Sequence, residues 1–431
     1  MRKYSSIPSE LFASNRKRFT EKMKPNSIAI FHAADLLTRN GDCFFPFRQN
    51  SDVFYLSGLD QEETVLVLYP DCPKGKDYEA VIFTKQTNDY IKVWEGYKYT
   101  KEDASQVSAI PTVLWLDSMP ALLNEMILLA DNVYLNANEN DRASGQVPVR
   151  DERLALELKA KYPAHNFVRS APIMKKLRMI KSTFEIEIMQ KACDITEKAF
   201  RRVLSNTKAG MMEYEVEADI IYEFIRNGAG GHAYTPIIAS GPNACVLHYN
   251  NNSEPLIDGD LLLMDFGAEY ANYAADLSRT IPVNGRFTKR QRAVYDAVLR
   301  VKTAAEKMLV PGNKLMDYHK EVGKVMEGEL LELGLITKED IANQKADWPA
   351  YKKYFMHGTS HHLGLDVHDL CERYSAFEVG MVFTCEPGIY IPEEGVGIRI
   401  EDDILITENG TFNLMRNIPI EADEIERLMN R

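Results

Sequence analysis

Six cysteines in 431 residues (Cys43, Cys72, Cys193, Cys245, Cys371 and Cys385) never fall in a CxxC pair. Neither a zinc ribbon nor a disulfide framework is therefore expected. No run of eighteen or so apolar residues occurs, which excludes a membrane-spanning helix. The opening stretch MRKYSSIPSELFASNRKRF has charges but no apolar core, so it does not read as a secretory signal. No basic block offsets a formal net charge of −12, which argues against a nucleic-acid partner and against an anionic membrane. Neither an internal repeat nor a low-complexity tract is found, and the first third lacks a Gly-rich phosphate loop and a nucleophile elbow. These absences lead to the expectation of a soluble protein of a reducing compartment, the cytoplasm.

A chain of this length exceeds one ordinary core, so two domains are expected. Hydrophobic content of 45% and charged content of 26% are those of a globular protein. The β-branched or aromatic runs SIAIFH (27–32), DVFYL (52–56), TVLVLY (64–69) and EAVIFT (79–84) predict strands. Residues 9–24, 120–131 and 150–161 predict helices. A change of character near Ala171–Pro172 puts the boundary between domains 1–172 and 173–431. Beyond it, Ser182 with Glu185 three positions on forms a capping box at the start of one helix. A second helix spans 213–227 and stops at Gly228, Gly230 and Gly231.

Chemistry concentrates later. Met356 to Asp369, MHGTSHHLGLDVHD, holds His357, His361, His362 and His368 within twelve positions. Histidine is the commonest metal ligand and titrates nearest neutrality, yet alone this could be a His-rich surface loop. Four carboxylates alter that balance. Asp265 follows Leu261-Leu262-Leu263-Met264, Asp276 sits in YAADLSRT, Glu386 follows Met381–Cys385, and Glu401 follows Gly397–Ile400. Singly, Asp276 reads as a turn cap, Glu386 as a cap partner before Pro387-Gly388, and Glu401 as half of a salt bridge with Arg399. Four acids ending apolar strand runs in one domain are harder to dismiss, because a buried carboxylate is costly without a positive partner. Four converging carboxylates repel strongly; two divalent cations neutralise them, and one imidazole completes an oxygen-rich shell suited to manganese, iron, cobalt or zinc. Two such ions about 3.5–4 Å apart hold a hydroxide and polarise a bond to be cut.

MDFGAEY, YAADLSRT, HGTSHHLGLDVHD, TCEPGIYIP and GVGIRIEDDI, in that order, resemble the pita-bread (M24-type) metallopeptidases. The nearest likeness is to the Xaa-Pro aminopeptidases (aminopeptidase P), with prolidase next. RNGDCFFPFRQNSDVFYLSGL (39–59) is similar to that group's N-terminal domain. The resemblance implies an α+β chain: an N-terminal α/β domain, then a curved antiparallel sheet holding the metals on its inner face with helices outside. It implies hydrolysis of the N-terminal residue from peptides with proline second, by a metal-bridging hydroxide. The alternatives are an Xaa-Pro dipeptidase and, more remotely, an inactive peptide-binding relative.

The same resemblance implies five ligands for two divalent ions, manganese first, with zinc, cobalt or iron as alternatives. Asp265 would chelate one ion, Asp276 and Glu401 would bridge both, and His361 and Glu386 would complete the other. Glu386 would also act as general base. His248 and His368 would hydrogen-bond substrate and the tetrahedral oxyanion, His357 would line the site, and Arg399 would pin ligand carboxylates. Tyr390 and Trp94 are candidates for the pocket wall or for ordinary packing. His362 would point to the opposite face from His361 and takes no role; His32, His165, His232 and His319 read as ordinary polar positions. A homodimer or homotetramer is implied as well.

Overall fold

The runs 27–32, 64–69 and 79–84 are apolar, almost continuously buried stretches between turn residues, and each forms a strand. In the computed structural model, which describes residues 3–140, 142, 145 and 147–430, they lie inside a six-stranded mixed sheet. Its order from one edge is Thr112–Trp115, Ala80–Thr84, Thr64–Leu68, Ser27–His32, Asn132–Leu135 and Asn166–Arg169. Ser27–His32 pairs antiparallel with Thr64–Leu68 and parallel with Asn132–Leu135. One sheet face carries Ile28, Ile30, Val65, Val67, Val81, Phe83 and Val133 against Leu123, Met126, Ile127, Leu154 and Leu158. The last five come from the helices Met119–Leu129 and Arg150–Lys161, both close to their expected bounds.

The predicted strand 52–56 is instead the helix Ser51–Ser57. The Asn50 side chain accepts from the Asp52 and Val53 N–H groups, which caps the first turn, and Gly58 at φ 68° ends the helix. Asp52 makes a buried ion pair with Arg178 at 2.9 Å. Residues 52–57 are all buried, and the apolar run Val53–Leu56 between Asp52 and Ser57 is too short and continuous to distinguish a strand from a buried helix.

The chain divides into two compact units, Met1–Arg178 and Met179–Arg431. The division falls at the end of the helix Ala171–Met179, whereas the change in sequence character marks its beginning. The helix belongs with the first unit.

In the second unit every strand pair is antiparallel. Leu261–Phe266 lies between Ile237–Ser240 and Leu277–Pro282, Val382–Cys385 pairs with Asp402–Thr407, and Gly388–Ile391 pairs with Val396–Arg399. The helix Thr183–Asn206 opens on the Ser182/Glu185 capping box and packs on Ala268–Tyr270 and Tyr273–Ala274. Glu213–Arg226 ends before Gly228, at φ 84°. Lys289–Glu306 packs on Val396–Arg399 and against Leu315–Glu332. One glycine is indispensable: a Cβ on Gly267 would lie 1.7 Å from the Ala275 carbonyl oxygen. That close approach lets the chain fold back so that Asp265 faces Ser278 and Phe266 faces Leu277. Among the described residues no helix is long and apolar enough to cross a membrane.

Candidate metal centre

The back-folded strands bring Asp265 and Asp276 to one phenol: the Tyr234 hydroxyl contacts Asp265 Oδ1 and Asp276 Oδ1. The Glu401 N–H donates to the Ser278 carbonyl at 3.0 Å, and the Ser278 hydroxyl donates to Glu401 Oε2 at 2.7 Å. This adds the third carboxylate. The fourth, Glu386, follows Val382–Cys385, and its N–H donates to the Thr359 carbonyl at 2.8 Å. Residues 359–361 thus run along that strand's edge, with the Thr384 N–H on the His361 carbonyl at 3.0 Å. His361 Nε2 then lies 3.4 Å from Asp276 Oδ2 and 3.7 Å from Glu386 Oε1. One donor atom each from Asp276, His361 and Glu401 fall within 4.8 Å of one another.

Arg399 spans the group. Its guanidinium donates to Asp265 Oδ2 at 2.7 Å, to the Ser278 hydroxyl at 2.7 Å and to the Tyr390 hydroxyl at 2.9 Å. The Tyr390 hydroxyl also meets His357 Nε2 at 2.8 Å, and His357 Nδ1 is 3.9 Å from Glu386 Oε2. The His368 ring stands edge-on to that of His361, centroids 4.2 Å apart. His248 sits on an exposed loop near enough to His357 to bear on its charge. His362 turns away: it is buried and stacks on Phe383 at 4.1 Å. Trp94 lies in the first unit on the helix Asp89–Glu95, its side chain largely exposed.

One arginine does not balance four acids. Burial pushes Asp276 well above the usual carboxylate range, with Asp265 adding to it. It pushes Glu401 well up too, helped by Asp276, Glu386 and Asp265. Glu386 is raised to about 7, burial outweighing the pull of His361 and Arg399. Burial opposes the charge on Arg399, but Tyr390, Asp265 and Glu401 overcome it and hold the guanidinium protonated. Burial also lowers His357 to about 3, with Arg399 contributing, so its imidazole is neutral.

These groups fit a divalent cation. His361 Nδ1 meets its neighbour's carbonyl, that of His362, at 3.0 Å. A proton there fixes the tautomer and leaves the Nε2 lone pair facing two carboxylates. A lone pair aimed at oxygens is repulsive unless a proton or a metal cation lies between, and a metal cation would meet all of these donors at once. Likewise one phenolic proton cannot serve Asp265 and Asp276 together.

Tyr234, Ser278 and Thr384 were invisible to sequence reasoning, since a hydroxyl residue in a bend or strand carries no signal until folding brings its partner to it. Asp403 is another case: its Oδ2 accepts the Asp276 N–H at 3.1 Å and so holds the backbone of that residue. The doubled acid in EDD was the available hint. The loop bearing His368 is tied by a buried ion pair between Lys181 and Asp369 at 3.4 Å.

Comparisons with known proteins agree with this geometry. Residues 187–408 match the model of metallopeptidase family M24, and residues 12–134 match that of the aminopeptidase P N-terminal domain. The Xaa-Pro aminopeptidase of Escherichia coli (strain K12) is 37% identical over 447 residues, covering 99% of this chain and 98% of that protein. The structure of Pseudomonas aeruginosa aminopeptidase PepP superimposes with a TM-score of 0.89 at 35% identity, over 99% of this chain and 98% of that one. A zinc-substituted E. coli aminopeptidase P in complex with product gives a TM-score of 0.88 at 35% identity, over 99% of each chain. With the family model matched over residues 187–408 and a relative matched over 99% of the chain, the chain belongs to metallopeptidase family M24, its pita-bread domain following an aminopeptidase P N-terminal domain in sequence.

Proposed function

We propose that this protein is a metal-dependent Xaa-Pro aminopeptidase, removing the N-terminal residue from peptides with proline in second position. The unit that runs to Arg178 would be the aminopeptidase P-like part and the unit that starts at Met179 the catalytic part. The observation that carries the reading is the convergence of Asp276, Glu386 and Glu401 on His361 Nε2, with Asp265 joined to Asp276 through the Tyr234 hydroxyl and to the Arg399 guanidinium. Those five residues would hold two divalent ions, manganese first and zinc, cobalt or iron after it. When bound, such ions supply Lewis acidity, which acidifies water and polarises a peptide carbonyl.

The chain's own residues do the rest. Glu386, raised to about 7, takes up and returns a proton near neutral pH, as a general base must. Arg399 fixes the Asp265 carboxylate and, through the Ser278 hydroxyl, that of Glu401. Tyr390 couples Arg399 to the neutral His357, which presents its imidazole beside Glu386. His248 and His368 offer further ring N–H groups to the substrate. Carboxylates in excess also suit the free amine of a peptide N-terminus.

The prolidase alternative is disfavoured, because the full-length relatives carry aminopeptidase names. An inactive scaffold would be expected to have lost ligands, and all five residue types are in place. The six cysteines are free, which supports a cytoplasmic setting, and we infer a homodimer or homotetramer from the family resemblance. The test strips the protein with chelator, reloads it with manganese, and offers an Xaa-Pro dipeptide and an Xaa-Pro-Xaa tripeptide side by side. Tripeptide cleavage that depends on metal is expected. Turnover of the dipeptide alone would make the protein a prolidase, and no turnover of either would return the inactive reading.

A further inference from the structure

One histidine outside the proposed ligand set holds the segment that supplies the nitrogen ligand. His319 lies on the first turns of the helix Leu315–Glu332. Its Nδ1 accepts the Thr359 N–H at 3.0 Å. Thr359 is 1% exposed, so no water is at hand to replace that acceptor. On its other edge the Thr359 carbonyl accepts the Glu386 N–H at 2.8 Å. The two polar groups of one peptide residue therefore join the helix to the strand that ends at the proposed base.

The neighbouring contacts tighten the same join. The imidazole packs against Gly358, where a Cβ would lie 3.1 Å from His319 Cε1. Gly358 has no positive φ, so it is the ring that would crowd a side chain there. Tyr318, the preceding helix residue, meets the Ser360 hydroxyl at 3.2 Å. Ser360 in turn donates to the Thr384 carbonyl, and the His361 N–H donates to the Thr384 hydroxyl at 3.2 Å. Of this set, His319 is the group that reaches the segment from the helix side at a main-chain N–H. A ring that accepts from an N–H at Nδ1 carries its own proton on Nε2, so its tautomer is fixed.

We propose that His319 is a positioning residue: by accepting the Thr359 N–H it holds residues 357–361 in the line that aims His361 Nε2 at Asp276 and Glu386. This rests on the metal-site reading above, but its first readout does not depend on metal or activity.

Two substitutions separate the acceptor from the packing. His319→Asn keeps an acceptor near the place of Nδ1, and His319→Leu fills the space without one. In the metal-free chain, hydrogen exchange at the Thr359 amide should be at least about tenfold faster in the leucine variant and near wild type in the asparagine variant. Calorimetric manganese affinity should fall roughly 10- to 100-fold in the leucine variant, as for other groups that orient a ligand. Turnover of an Xaa-Pro-Xaa peptide should lose kcat with KM little changed, and asparagine should recover most of both. If the leucine variant does not fold, His319→Ala takes its place. An unchanged Thr359 amide in the leucine variant would overturn the proposal, as would an asparagine variant as impaired as leucine. A wild-type chain that binds no manganese and cuts no peptide would end the functional reading instead, and the exchange comparison would still decide the role of His319.

Discussion

Asp276 is the residue on which most of the site's electrostatics meet. It faces His361 Nε2 at 3.4 Å, shares Tyr234 with Asp265, and its own N–H is held by Asp403. Asp276→Asn removes one charge while keeping shape. It should weaken manganese binding and turnover by roughly 100-fold, the upper end seen even for groups that only support a ligand. Calorimetry on the metal-free variant checks the first and peptide hydrolysis the second. The buried acids also set a pH dependence opposite to that of most surface carboxylates. Glu386 titrates at about 7 in the folded chain and near 4.3 when unfolded. Between those values the folded state binds more protons, so its stability falls as pH rises. The contribution is complete below the unfolded value and lost once pH passes about 7. Metal-free wild type should therefore melt lower at pH 8 than at pH 5 relative to Glu386→Gln, and manganese should reverse that difference.

Residue identity was readable where the chemistry is singular. Asp265, Asp276, Glu386 and Glu401 stand out because acids after apolar runs are costly to bury without purpose, whereas only the family resemblance picks His361 from its cluster. His319 was passed over for the converse reason: a lone histidine on a polar helix looks ordinary until its ring is seen on the Thr359 amide.

At the scale of elements, local signals were strongest where capping and periodicity agreed. The helix Thr183–Asn206 begins where Ser182 accepts from the Glu185 N–H and Glu185 answers to the Ser182 N–H. Ser182→Ala should cost about 1 kcal/mol, measured as a lowered urea midpoint for the second unit with an unchanged slope. The strand pair carrying Asp265 and Asp276 has a sharper dependence. Gly267→Ala forces a methyl group into the Ala275 carbonyl, and overpacking of this kind costs about 1–3 kcal/mol. Because the displaced backbone leads straight into Asp276, manganese affinity should drop along with the melting temperature; a loss of stability alone would show that the strands can separate without moving the acids. The helix Ser51–Ser57 marks the opposite limit. Buried all round and only two turns long, it has no polar face to give its period away.

Over the whole molecule, the sequence conveyed two domains and their order, and placed the boundary at the start of the helix Ala171–Met179 rather than its end. A helix that closes one unit and leads into the next has no change of composition at its far side to mark the transition. Every proposed ligand lies in the unit Met179–Arg431. Manganese at a hundred times its dissociation constant should stabilise the metal-binding state by about 2.7 kcal/mol. Hydrogen exchange monitored by mass spectrometry should show the added protection within residues 179–431. Protection spread equally through residues 3–178 would contradict that assignment.

The proposed ligands are drawn from strands and loops between Asp265 and Glu401. Asp265 and Asp276 share one strand pair, but His361, Glu386 and Glu401 follow only much later in the sequence, and an unfolded chain offers no assembled site. During synthesis on the ribosome, then, the complete ligand set does not exist until Glu401 has been made. Loading is an event in the life of the finished fold, and the ion acquired is selected from whatever the surrounding pool offers at that moment.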